Sequence, residues 1–120
     1  MAKILIAEDD NSMRNFLEIA LKKAGHEVQS CEDGLGALSA LDKNNKFDLL
    51  LADIVMPGMD GIELSQKATE KSPALKVMFI TGFAAVAMGA NNPAHQNARV
   101  LSKPFHLKEL VNQVDTLLAA

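Results

Sequence analysis

The sequence predicts a doubly wound α/β fold, in which a five-stranded parallel sheet of order 2-1-3-4-5 carries helices on both faces. Short uninterrupted apolar runs are typical of strands that are buried on both faces of such a sheet. Amphipathic stripes with three- and four-residue spacing lie between the runs, as in alternating β/α chains. The main apolar runs are residues 4–7, 49–52, 77–80 and 100–101.

Helix signals alternate with these strands along the chain. The apolar stripe of the first helix ends at Gly25, and glycine is the preferred residue just past a helix C-terminus. The third helix stops at Ser72-Pro73, because proline cannot continue a helix. Asp10 or Asn11 is expected to cap the first helix. The expected helices cover residues 13–24, 35–41, 61–71 and 107–118, and a weaker second strand covers residues 27–31.

One segment interrupts this alternation. Residues 83–88 are wholly apolar, and Gly89, Asn91, Asn92 and Pro93 follow closely. Glycine and asparagine end helices, and proline restricts the residue before it. The fourth helix is therefore expected to be short or irregular, followed by a loop, and the apolar run is interpreted either as core or as an exposed docking patch.

Composition narrows the classes of function. The length of 120 residues indicates a single domain over residues 1–120. A net charge of −3 without a basic cluster argues against nucleic-acid binding. No apolar stretch is long enough for membrane insertion, and no signal peptide is visible, so a cytoplasmic location is expected.

Cys31 is the only cysteine and is interpreted as a half-buried apolar residue. The three histidines show no metal-ligand spacing and are expected at the surface or at caps.

Polar groups follow the ends of four predicted strands: Glu8 and Asp9, Asp53, Thr81 and Lys103. In open α/β sheets the functional crevice lies outside the carboxyl ends of the strands, so these groups are expected to converge. Three neighbouring carboxylates repel one another unless a cation neutralises them, and Mg²⁺ prefers oxygen ligands. Acidic residues at strand ends are often only loop or cap residues, but the five polar groups taken together favour a functional site.

The same groups suit phosphoryl transfer. A carboxylate is a competent nucleophile, and Asp53 is the candidate because it stands alone at the end of the middle strand, whereas Glu8 and Asp9 form a pair suited to a metal. Thr81 would donate its hydroxyl to one phosphoryl oxygen, and Lys103 would pair with another. Turn residues Pro57, Gly58 and Gly61 follow Asp53 and predict a loop around the pocket.

At this point the motifs resemble the receiver domain of two-component response regulators. The segments ILIAEDD, LLLADIVMPGMDGIEL, MFIT and LSKPF occur in the family's order and spacing, and the resemblance covers the whole chain. It implies a flavodoxin-like receiver fold and Mg²⁺ as the cofactor. It also implies that Asp53 is the phosphoacceptor, that Glu8 and Asp9 are the acidic metal pair, and that the backbone carbonyl of Val55 is a further metal ligand.

The resemblance assigns the remaining pocket residues and shows one departure. Thr81 corresponds to the switch hydroxyl and Lys103 to the family's lysine. Val100 stands where the family usually has a tyrosine or phenylalanine that rotates inward, so movement of residues 83–98 is the expected substitute. Phe83 is a candidate shield of the acyl phosphate. The Lys103-Pro104 bond would aim the lysine inward if it were cis.

Partners follow from the resemblance as well. It implies a histidine kinase or histidine phosphotransfer protein as phosphodonor, and a receiver that is not an enzyme beyond slow self-catalysed phosphotransfer and dephosphorylation. Within the family, the motifs look most like a single-domain cell-cycle adaptor for the ClpXP protease, with ClpX or ClpXP substrates as partners. The end of the chain, Leu118-Ala119-Ala120, resembles tags that ClpX recognises, or is a frayed helix end. Met13, Pro104 and Phe105 are candidates for donor docking or for local packing.

Three alternatives remain open. An intermediate phosphorelay receiver would have the same pocket. An aspartyl-phosphate phosphatase usually needs an acid two residues after the nucleophile, where this chain has Val55. A flavin or nucleotide module would need a phosphate-binding loop after the first strand, where this chain instead has three acidic residues, from Glu8 to Asp10.

Overall fold

The structure is a computed structural model that describes residues 2–44, 46–81, 98–102 and 105–119. The described residues form five strands and four helices that alternate for most of the chain. The predicted fourth helix, Phe83, Lys103, Pro104 and Ala120 lie outside this part. The strands are β1 (Lys3–Ala7), β2 (Glu27–Cys31), β3 (Leu49–Asp53), β4 (Lys76–Thr81) and β5 (Ala98–Ser102). The helices are α1 (Asn11–Lys23), α2 (Gly34–Lys43), α3 (Gly61–Lys71) and α4 (Leu107–Ala119).

All strand pairs in the sheet are parallel, in the order β2-β1-β3-β4-β5. The predicted fold class and strand order are therefore confirmed. β3 is buried along its whole length, as expected for the middle strand of a sheet covered on both faces. β2 lies at an edge and alternates between exposed and half-buried residues, which explains its weaker apolar signal.

Two hydrophobic layers enclose the sheet because successive strand residues point to opposite faces. On one face, Leu5 and Leu50 pack with residues of α2 and α3. On the other, Ile4, Ile6 and Leu51 pack with residues of α1 and α4. Helices thus cover both faces, as the sequence predicted, and none of those described is long and apolar enough to cross a membrane.

The ends of α1 follow the predicted capping pattern. Asp10 is the N-cap, and its side chain accepts a hydrogen bond from the backbone N–H of Met13 at 2.9 Å. Gly25 follows the helix with φ of +97°, in the left-handed region that glycine tolerates best. Its N–H donates to Lys22, and the N–H of His26 donates to Leu21, which together form a Schellman motif.

His26 differs from the expectation of a surface or capping group. Its side chain is only 7% exposed. The backbone N–H of Ala2 donates to Nδ1 at 3.1 Å, and Nε2 lies 3.3 Å from an Asp115 oxygen in α4. This side chain therefore connects the start of the sheet with the end of α4, at the edge opposite the acidic residues.

Candidate functional site

The register of the sheet explains why Glu8 and Asp53 meet. Ala7 in β1 pairs with Ala52 in β3, so the residues that follow them leave the sheet at the same level. Both positions also fall on the same face, since side chains alternate along each strand. That face is the one covered by α1 and α4.

The structure brings the three predicted acidic residues together. Oxygen atoms of Glu8, Asp9 and Asp53 all lie within 4.8 Å of one another. Glu8 is 1% exposed and Asp53 is 7% exposed, whereas Asp9 is at the surface. Like charges repel strongly at this separation, and burial of two of them reduces the relief that water provides.

This donor set fits Mg²⁺. It offers only oxygen atoms, and a hard divalent cation would balance the charge that the fold concentrates there. The exposure of Asp9 leaves one side open, which suits an ion that retains several water molecules. The predicted ligation by the carbonyl of Val55 stays a prediction.

The backbone of Glu8 and Asp10 orders the acidic segment. The N–H of Glu8 donates to the carbonyl of Cys31 at 3.0 Å, which extends the pairing of β1 with β2 by one residue. The carboxylate of Glu8 accepts a hydrogen bond from the N–H of Asp10 at 3.2 Å. Glu8 is therefore held at both its main chain and its side chain.

Asp53 is oriented by the loop that follows it. Its Oδ1 accepts a hydrogen bond from the N–H of Val55 at 3.1 Å. The side chain of Val55 is 51% exposed, beside the pocket. The N–H of Gly61 donates to the carbonyl of Ile54 at 2.9 Å, and Gly58 adopts φ of +80°. The predicted loop after Asp53 therefore folds back on the end of β3.

The remaining predicted residues are placed only in part. The pairing of Thr81 with Ser102 puts the ends of β4 and β5 side by side, so Lys103 follows directly after the residue that pairs with Thr81. The side chain of Thr81 is outside the described atoms. Val100 pairs with Phe79 and is partly buried against the α2–α3 layer. Ala119 is the last residue of α4 and is exposed.

The two described candidates for donor docking pack against the core of the same face. Met13 and Phe105 are partly buried among the residues of the α1–α4 layer. The Phe105 ring centroid lies 6.3 Å from that of Phe16, which is itself 40% exposed. Local packing thus accounts for both residues, and Phe16, which belongs to the predicted apolar stripe of the first helix, remains partly exposed at the surface.

Sequence reasoning missed Arg14. Its Nη1 donates to the backbone carbonyl of Glu8 at 2.9 Å, and its Nη2 donates to the side chain of Asn11. A single arginine on a helix has no distinctive signal in a sequence, because the same pattern occurs on any solvated face.

Cys31 is half-buried as predicted, and burial raises its pKa above the ordinary value of 9.0. Asp33 adds to the rise and Arg14 opposes it. We expect alkylation of Cys31 by iodoacetamide at pH 7.5 to be several-fold slower than that of glutathione, because the thiolate is the reactive form. A rate equal to that of glutathione in the folded protein would contradict this, and unfolding in urea is the control that should restore the rate.

The same shift gives a pH dependence of stability. The Cys31 thiol loses its proton at lower pH in the unfolded chain than in the folded protein. Its contribution to the free energy of unfolding is therefore fully present below pH about 9 and is lost above it. Urea unfolding of wild type and Cys31→Ala should therefore diverge in pH dependence only above that value.

Comparison with known proteins gives the site its context. A family model described as the response regulator receiver domain matches residues 4–115. All 120 residues align with the response regulator receiver protein CpdR of Brucella abortus, at 56% identity and over 99% of that protein. The chain is also 33% identical over 118 residues, 98% of its length, to the sensor kinase CckA of the same organism, of which the match spans 12%.

A solved structure supports the same assignment. The response regulator TrrA of Thermotoga maritima, in complex with Mg²⁺ and BeF, has a TM-score of 0.85 and 28% sequence identity to this chain. That similarity covers 98% of this chain and 99% of TrrA. The resemblance that the sequence motifs indicated is confirmed. The chain belongs to the response regulator receiver domain family.

Proposed function

We propose that this chain is a stand-alone phosphorylation switch in the bacterial cytoplasm. Asp53 accepts a phosphoryl group from a phosphohistidine, and Glu8, Asp9, Asp53 and the carbonyl of Val55 hold Mg²⁺. The observation that carries the proposal is the convergence of three carboxylates within 4.8 Å at the carboxyl edge of the sheet. The TrrA structure, which contains Mg²⁺ and BeF in a related fold, supports the same chemistry.

In the proposed transfer, a carboxylate oxygen of Asp53 attacks phosphorus. A new P–O bond forms while the P–N bond to histidine breaks, and the histidine nitrogen keeps the electron pair of that bond. The hydrogen bond from Val55 to Oδ1 limits rotation of the Asp53 carboxylate and so orients it for attack. Mg²⁺, when bound, supplies neutralisation of the charge on the transferring group.

Thr81 and Lys103 complete the proposed pocket. The pairing of Thr81 with Ser102 supports their proximity, because Lys103 follows Ser102 in the chain. Thr81 binds one phosphoryl oxygen and Lys103 pairs with a second. Val100 lacks a ring that could rotate inward, so we place the conformational change in the segment after Thr81, with Phe83 shielding the acyl phosphate.

We further propose that the output is protein binding, as a CpdR-like adaptor that controls ClpXP-dependent proteolysis. The identity of 56% over essentially the full length of CpdR supports this. The phosphodonor is a histidine kinase or a histidine phosphotransfer protein. The exposed end of α4 at Ala119, with Ala120 after it, is the proposed contact for ClpX.

A second candidate is an intermediate phosphorelay receiver. The 33% identity to part of the sensor kinase CckA favours it, because receivers within sensor kinases are suited to passing phosphoryl groups onward. An aspartyl-phosphate phosphatase is disfavoured, since Val55 offers no acid beside Asp53. Transfer of the phosphoryl group from the phosphorylated chain to a histidine phosphotransfer protein would support the relay.

Pull-down on immobilised ClpX tests the proposal. Wild type and Asp53→Ala should both be retained, and wild type treated with beryllofluoride and Mg²⁺ should be lost, because the resemblance makes the unphosphorylated form the active adaptor. Asp53→Ala with beryllofluoride is the matched control and should remain bound. Equal recovery of all four samples would refute a phosphorylation-controlled adaptor.

A further inference from the structure

We propose that Arg14 positions Asp9, the exposed carboxylate of the acidic cluster, for binding of a divalent cation. Arg14 is half-buried in the first turns of α1 and does not belong to the cluster itself. The inference rests on the proposed function, since it concerns the same metal site. It assigns to Arg14 a positioning role that acts through the main chain.

The contacts of Arg14 lie on both sides of Asp9. Its Nη1 donates at 2.9 Å to the carbonyl of Glu8, which belongs to the peptide unit joining Glu8 to Asp9. Its backbone N–H donates at 2.9 Å to the carbonyl of Asp10, the residue after Asp9. The guanidinium is anchored by a further hydrogen bond to Asn11. The guanidinium therefore holds the main chain before Asp9, while the helical backbone hydrogen bond of the same residue holds it after Asp9.

The peptide unit that joins Asp9 to Asp10 is held by its own N–H, which donates to the carboxylate of Glu8 at 3.2 Å, so the guanidinium of Arg14 acts on the preceding peptide unit, between Glu8 and Asp9. Glu8 is fixed by Cys31 and by the burial of its carboxylate. Asp9 is exposed, so core packing does not define its direction. Rotation of the peptide unit between Glu8 and Asp9 would swing the Asp9 carboxylate away from the cluster. Mg²⁺ demands near-octahedral geometry, so a displaced ligand costs affinity.

Charge alone would give Arg14 the opposite effect. A guanidinium near a cation site repels the cation, so its removal should tighten Mg²⁺ binding if charge were its only contribution. If Arg14 instead positions Asp9, its removal weakens binding. The sign of the change therefore distinguishes the two roles.

The experiment is a Mg²⁺ titration at constant ionic strength, followed by the amide NMR shifts of Asp53 and Val55. We expect Arg14→Met to lower Mg²⁺ affinity about tenfold. Arg14→Lys keeps the charge but lacks the planar fork that reaches both acceptors, and we expect an intermediate loss. Lys22→Met is the matched control, because it removes one charge from the same helix, where Lys22 pairs only with Glu18 among the ion pairs of the described residues. Its affinity should stay within about twofold of wild type.

A metal-free measurement separates positioning from a general loss of stability. Amide hydrogen exchange at Asp9 and Asp10 should accelerate in Arg14→Met more than exchange in β3 does. If Arg14→Met does not fold, Asn11→Ala removes the second anchor of the guanidinium and should lower affinity in the same direction, by a smaller factor. If Arg14→Met or Asn11→Ala binds Mg²⁺ as tightly as wild type, or more tightly, the inference is overturned. If the amide shifts of the wild-type protein do not saturate with Mg²⁺, the proposed metal site is overturned as well.

Discussion

Asp53→Asn is expected to abolish phosphoryl uptake from a phosphohistidine donor or from a small-molecule donor such as phosphoramidate. The substitution keeps the shape of the side chain and keeps Oδ1 as the acceptor for the N–H of Val55. It replaces a nucleophilic carboxylate by an amide, which does not form an acyl phosphate. Intact-protein mass spectrometry after incubation with donor and Mg²⁺ measures the result.

Asp42→Asn is the matched control for this change. Asp42 is an exposed aspartate of α2 that pairs with Lys71, so the variant loses the same charge away from the pocket. It should be phosphorylated like wild type. Phosphoryl incorporation by Asp53→Asn at the wild-type level would place the acceptor on another residue, such as Glu8 or Asp9.

Stability in metal-free buffer gives an independent check that Asp53→Asn is folded. Removal of one charge from three carboxylates within 4.8 Å relieves repulsion, so the midpoint of unfolding should rise relative to wild type when EDTA is present. A fall in that midpoint would mean that the Asp53 carboxylate has a stabilising partner that outweighs the repulsion. When Mg²⁺ is added, the midpoint of unfolding should rise more for the wild-type protein than for the variant.

The sheet and its acidic edge were predictable because they depend on patterns that act over the whole chain. Buried parallel strands have apolar runs, and the crossover topology brings their carboxyl ends to one edge. The positions of Glu8 and Asp53 follow from this alone. The contacts of Arg14 and His26 do not, since each depends on one side chain reaching a particular backbone group from another element.

The second helix illustrates the limit of a pattern read from spacing. Leucines at three-residue steps drift around a helix by about 60° at each step, because a full turn takes 3.6 residues. Leu41 is 1% exposed, Leu38 is partly buried and Leu35 is 69% exposed. The helix was predicted correctly, but a strict three-residue repeat cannot keep all three leucines on the core face.

Gly61→Ala is expected to lower the free energy of unfolding by about 3 kcal/mol. Gly61 was predicted both as a turn residue and as the start of the third helix, and the structure places it at the first position of α3, against the end of β3. A Cβ at this position would lie 2.3 Å from the carbonyl oxygen of Asp53 and 2.9 Å from its carbonyl carbon. Both contacts are with backbone, which cannot rotate away as a side chain can.

Gly34→Ala is the matched control, because Gly34 is also the first residue of a helix that follows an aspartate N-cap. The three atoms nearest to its added Cβ would be side-chain atoms of Met59, at 3.0 to 3.2 Å. We expect it to change the free energy of unfolding by less than about 1 kcal/mol, since the better helix propensity of alanine offsets a small displacement. Urea unfolding of both variants measures the difference.

The cost of Gly61→Ala should extend to the pocket. The N–H of Gly61 donates to the carbonyl of Ile54 at 2.9 Å, so α3 cannot retreat from β3 without stretching that hydrogen bond. Relief of the clash must therefore move the backbone of Asp53, and with it the carboxylate that the metal and the phosphoryl group share. We expect weaker Mg²⁺ binding in Gly61→Ala and unchanged binding in Gly34→Ala. A destabilised Gly61→Ala protein with wild-type Mg²⁺ affinity would show that the strain is absorbed in α3 rather than at Asp53.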